Sequence, residues 1–114
     1  MTLLRVGPLP EGALDAAAVF HSEILPKARA ELASGPDHLV LIFDPADQEH
    51  RGWRLAVVQD LAREYAPLRV NALVSDDETA IAAAAEYCAD APGFTGQLLV
   101  LDGKGVGGLL SYPA

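Results

Sequence analysis

The stretch Arg51 to Val74, RGWRLAVVQDLAREYAPLRVNALV, constrains this chain more than any other. Trp53, Val57, Leu61 and Tyr65 recur at four-residue steps, with Leu55, Val58 and Ala62 beside them. A helix over these residues carries a broad apolar face that a sheet, a partner or both must cover. Pro67 ends that helix, because a proline supplies no amide N–H and disfavours helical geometry in the residue before it. The chain then runs straight into a short apolar strand, Arg69 to Val74. That is half of a parallel α/β unit.

The remaining chain repeats the pattern. Thr2 to Val6 reads as a strand and Gly7 to Pro10 as a loop. Glu11 to Ser34 has helical composition, with acidic residues early, Lys27 and Arg29 late, and Gly35-Pro36 as the stop. Pro26 lies inside it and predicts a kink or a short break near Ser22 to Leu25. His38 to Asp44, HLVLIFD, is a near-continuous apolar run of the kind covered on both faces of a sheet. After the short acidic connection Pro45 to His50 and the organising unit, Ser75 and Glu78 have the spacing of a capping box for a helix to about Ala89. Asp90 to Gly96 is a loop, Gln97 to Asp102 another apolar strand, and Gly103 to Gly108 a glycine-rich turn before the tail Leu109 to Tyr112.

This alternation predicts an α/β domain with a four-stranded, mostly parallel sheet in sequential order and about three main helices. Three right-handed crossovers advancing in one direction would place every helix on one face and leave the other bare. Either the last crossover has the opposite hand, or a second chain covers that face.

At 114 residues the chain holds one domain, 1–114. Its net charge of -8 argues against nucleic acid and anionic membrane surfaces, which need clustered Lys and Arg. A single cysteine, Cys88, excludes an internal disulfide, and the N-terminus has neither a charged leader nor a long apolar run. The expectation is a cytoplasmic protein.

Two groups of residues invite a functional reading. Gly103-Lys104-Gly105-Val106-Gly107-Gly108 satisfies G-x-G-x-x-G after a strand, yet six residues remain, too few for the helix that would bind a pyrophosphate. The expected strand ends carry Asp44, Asp76 and Asp102, with Asp47, Glu49 and His50 nearby. Ligands of open parallel sheets sit at such ends. This edge repels phosphates and is either a cation site or a solvated surface; its spacing matches no ligand motif, so no metal is assigned. His21, His38 and Cys88 fall in or beside apolar elements and read as structural. Trp53 and Tyr65 are either core or, with Val57 and Leu61, anchors of a helix-to-helix interface.

The run LAREYAPLRVNALV, followed by GFTGQLLVLDGKG, resembles the C-terminal half of the short-chain dehydrogenases/reductases. That family shows a helix ending like LA-x-E-x-AP, a strand carrying RVN and a last strand within TGQ-x-x-x-VDGG. DAAAVFHSEILP and HLVLIFD look like its preceding helix and strand. The resemblance implies a truncated, Rossmann-like three-layer half-fold. It also implies a left-handed final crossover and long helices that pair across a two-fold axis in a homodimer.

The family's glycine-rich nucleotide loop has no counterpart here, so no cofactor is expected. Carried over by position, the lysine of the family's Tyr-x-x-x-Lys motif falls on Arg51 and the tyrosine on Asp47, while Asp15 stands about where the family carries an asparagine. The catalytic serine has no match. A phenol donates the proton in the family's reaction and an ammonium group lowers its pKa; an ionised aspartate and an arginine that holds its proton firmly cannot replace them. The expectation is a non-catalytic, homodimeric interaction module that also pairs with a full-length dehydrogenase relative. The alternatives are a partner-dependent half of an NAD(P)-dependent oxidoreductase, or an unrelated enzyme using the acidic edge.

Overall fold

A computed structural model describes residues 1–101. Four strands, β1 (Thr2–Arg5), β2 (His38–Phe43), β3 (Arg69–Val74) and β4 (Leu98–Val100), form one sheet in the order β1-β2-β3-β4. Every neighbouring pair is parallel. The helices are α1 (Ala13–Val19), α2 (Leu25–Ala33), α3 (Arg51–Glu64) and α4 (Glu78–Ala89), with a 3-10 turn at Gln48–His50.

β2 is buried along its whole length, as its apolar run requires. Its side chains alternate. Leu39, Leu41 and Phe43 pack with Phe20, Ala28 and Leu32 of the first helical run and with Val58 and Leu61 of α3. Val40 and Ile42, with Leu73 of β3, pack on the other face against Ala80, Ile81, Ala84 and Cys88 of α4. Because all three crossovers advance in one direction while α4 alone lies on the second face, the β3-α4-β4 crossover has the opposite hand to the first two. Of the two sequence alternatives, the chain takes the first and covers that face itself.

The first helical run is continuous from Ala13 to Ala33, but Phe20–Ile24 is a π-helical turn in which the Leu25 N–H reaches the Phe20 carbonyl. Pro26 cannot donate to the carbonyl four residues back, and widening of the preceding turn absorbs that loss. The expected irregularity is therefore a π turn rather than a break.

The helix after β3 differs from expectation at its start. Its N-cap is Asp77, whose Oδ1 accepts from the Thr79 N–H at 2.9 Å and from the Ala80 N–H at 3.3 Å. Ser75 instead tightens the preceding turn, its Oγ accepting from the Asp77 N–H at 3.0 Å. Glu78, freed from a capping box, forms a two-pronged ion pair with Arg5 of β1 at 2.9 and 2.7 Å.

Candidate functional site

The carboxyl ends of β2 and β3 open onto the Pro45–His50 connection and the start of α3. Two cavities flank that connection. The first, of about 140 Å³, has Asp47, Arg51 and Arg54 on one side and Val74, Val100 and Leu101 on the other. The second, of about 350 Å³, lies between Pro8–Glu11 and the same loop, and Asp44, Asp47, His50 and Arg54 line it. Arg54 borders both.

Arg54 is 6% exposed. Its guanidinium lies 4.5 Å from the Phe43 ring centroid and 5.8 Å from that of Trp53. One Nη donates to the Asp44 carbonyl at 3.0 Å, while the buried Nε has no partner among the described residues. Burial pushes its pKa down from the ordinary arginine value, and the nearby Asp44 charge offsets this in part. Arg51, one turn earlier, has a buried Nη1 without a partner among the described residues. Among the described residues, neither guanidinium forms an ion pair.

The acidic edge is only partly assembled. Asp44, Asp47 and His50 meet around the second cavity, whereas Asp76 is exposed and lines neither cavity, and Asp102 and the Gly103–Gly108 motif lie outside the described residues. His50 is committed. Its Nδ1 accepts the Trp53 indole N–H at 3.2 Å, so its Nε2 carries the proton and donates to the Glu11 carbonyl at 2.8 Å. No lone pair is left for a metal. Among the described residues, no group of three His, Cys, Asp or Glu side chains is placed to hold an ion.

Asp47 and Arg51, the residues onto which the sequence resemblance carries the family's tyrosine and lysine, both line the first cavity, while Asp15 is exposed on the first turn of α1 and lines neither. On α3, Val57 and Leu61 are buried inside the monomer, which supplies the cover that the apolar face required. Trp53 and Tyr65 are half-buried; the Trp53 ring packs at 5.5 Å from Phe20 and 5.8 Å from Phe43. The exposed flank of α3 consists of Gly52, Ala56, Gln59, Asp60, Arg63 and Glu64.

Sequence reading did not single out Arg54. A signal existed, because Arg51 and Arg54 occupy the first turn of α3, which contains no acidic residue. Cations at a helix N-terminus oppose the dipole, which favours Asp and Glu there.

At the opposite sheet end, Arg69-Val70-Asn71 is a structural device. Arg69 donates to the carbonyls of Cys88 and Ala91 at 2.9 and 2.7 Å, closing the C-terminus of α4. Asn71, fully buried, donates to the Phe94 carbonyl at 2.7 Å and accepts from the Gln97 N–H at 3.0 Å. These contacts hold the α4–β4 loop to β3. Burial pushes the Cys88 thiol up to about 11, against the opposing influence of Arg69, so this side chain is an inert part of the core.

A parallel sheet in sequential order, helices on both faces and a crevice at its carboxyl edge define a Rossmann-like α/β domain. The family model described as Short chain dehydrogenase-like protein matches residues 4–101. The chain belongs to that family. No curated protein and no solved structure matches it.

Proposed function

We propose that this chain is a non-catalytic short-chain-dehydrogenase-like module that acts by association, as a homodimer. The observation that carries the reading is the pair Asp47 and Arg51 at the first cavity, where the family resemblance places a proton-donating phenol and an ammonium group. An ionised carboxylate and a guanidinium cannot exchange roles with them. Tyr65 stands beyond the last turn of α3 and Tyr87 in α4, away from that edge. Association is supported by the helix pairing that the family implies and by Gly52 and Ala56, the two small residues at the start of the exposed flank of α3, which permit close approach there. Leu14, 90% exposed on α1, adds an apolar contact on the outside of the helical layer.

Titration with NAD(H) and NADP(H), followed by Trp53 fluorescence, tests the loss of dehydrogenase chemistry, and sedimentation tests the dimer. The expected results are no saturable signal at millimolar cofactor and a dimer at micromolar protein. Saturable binding overturns the non-catalytic reading; a monomer overturns the association.

A second reading, the partner-dependent half of an NAD(P)-dependent oxidoreductase, is favoured by the edge of β1. Among the described residues that strand pairs only with β2, leaving backbone donors and acceptors for a further strand. Stable co-purification with a dehydrogenase would support it over the homodimer.

A further inference from the structure

We propose that the smaller strand-end cavity binds a short aliphatic monocarboxylate, with Arg54 and Arg51 holding the carboxylate and Val74, Val100 and Leu101 packing on the carbon chain. The first support is an imbalance of partners. Buried charges in proteins are paired or fully hydrogen-bonded, because removing a charge from water is costly. Arg54 is more than nine-tenths buried on the border of this cavity and, among the described residues, has an Nε without a partner and only a neutral carbonyl on its Nη. Arg51 brings a second guanidinium with an unpartnered Nη1 to the same wall. A guanidinium presents several N–H donors in a planar fork that matches a carboxylate.

The shape and charge of the cavity select among anions. Its volume of about 140 Å³ is close to that of a buried cavity able to hold benzene, so it suits a ligand of about six non-hydrogen atoms. One wall is aliphatic, which favours a carbon chain over water. Asp47 borders the cavity, and Asp44 and Glu11 border the adjoining one, so a second negative charge on the ligand is opposed. That disfavours phosphate and dicarboxylates and leaves a singly charged acid. The site does not depend on whether the chain dimerises.

Butyrate, butanol and inorganic phosphate are the probes, titrated into the full chain by calorimetry and by backbone amide shifts. Saturable butyrate binding that shifts Arg51, Arg54 and Val74 is expected, with at least tenfold weaker binding of both butanol and phosphate. Arg51→Gln is expected to weaken butyrate at least tenfold. Arg54→Met should abolish binding; since Arg54 is packed in the core, the half-buried Arg51 variant carries the decision if Arg54→Met fails to fold. Absence of saturable butyrate binding up to tens of millimolar, equal binding of butanol, preference for phosphate, or unchanged affinity in Arg51→Gln each overturns the proposal.

Discussion

Acid should destabilise this protein through one buried histidine. His38 opens β2 and is fully buried, and Asn71 of β3 donates from Nδ2 to His38 Nε2 at 2.9 Å. The Asn71 amide cannot turn over, because its Oδ1 is held by a backbone N–H and its Nδ2 by a backbone carbonyl. Nε2 must therefore remain an acceptor, and the neutral ring carries its proton on Nδ1. Protonating Nε2 would set two donors against each other inside the sheet.

Burial, with the Arg69 charge nearby, lowers the His38 pKa from 6.5 to about 4. Between those values the unfolded chain binds a proton that the folded one refuses, so stability is full above 6.5 and falls as pH drops towards 4. Each pH unit in that window is worth about 1.4 kcal/mol, and the loss by pH 4 is about 3 kcal/mol. Against a domain stability of roughly 5–15 kcal/mol this is a large fraction. Urea unfolding of wild type and His38→Leu at pH 7 and pH 4 isolates it, because the carboxylates common to both proteins cancel in the difference. The variant is expected to lose about 3 kcal/mol less than wild type over that range. Equal losses, or an imidazole resonance of His38 titrating near 6.5, would refute the reasoning.

Two further outcomes follow from local geometry. Asp77→Ala removes the acceptor for two N–H groups at the start of α4 and should cost about 1 kcal/mol in urea unfolding, within the range of lost N-caps; Glu78→Ala, which breaks only an exposed ion pair with Arg5, should cost less than about 1 kcal/mol and show salt dependence. A larger effect at Glu78 than at Asp77 would restore the capping-box reading. The Cys88 thiol, buried and with its pKa pushed up to about 11, should resist an aromatic disulfide reagent at pH 8 in the native protein and react fully in denaturant. Rapid native labelling would mean that α4 lifts from the sheet.

The elements legible in the sequence are those whose apolar pattern decides their environment. HLVLIF has the pattern of a doubly covered strand, and β2 and β3 begin where they were expected to, at His38 and Arg69. α3 likewise runs from Arg51 to Glu64, just short of the proline. Less legible were features set by partners distant in sequence. β4 begins at Leu98 rather than at Gln97, whose N–H is taken by the Asn71 side chain, while the expected end at Asp102 lies outside the described residues. The cap of α4 shifted because Glu78 meets Arg5, 73 residues away. Arg54 was hidden for the same reason: its significance comes from Phe43 beneath it and from the cavities beside it, not from its neighbours in the chain.

The two ends of the sheet differ in how far their polar groups are bonded. At the amino end, His38, Asn71 and Arg69 are buried or half-buried, and although the His38 Nδ1 has no partner among the described residues, hydrogen bonds from Asn71 and Arg69 tie β2, β3 and the α4–β4 segment together. Such a network stabilises and specifies the fold. At the carboxyl end, two arginines carry unpartnered N–H groups beside a cavity. An aliphatic side chain of similar volume at position 54 would fill the space over Phe43 without burying a charge, and such replacements are commonly neutral or stabilising. Stability therefore does not account for Arg54. Its position does, because the carboxyl edge is where an open parallel sheet leaves a crevice for a ligand, and a desolvated guanidinium there attracts an anion more strongly than the same group in water.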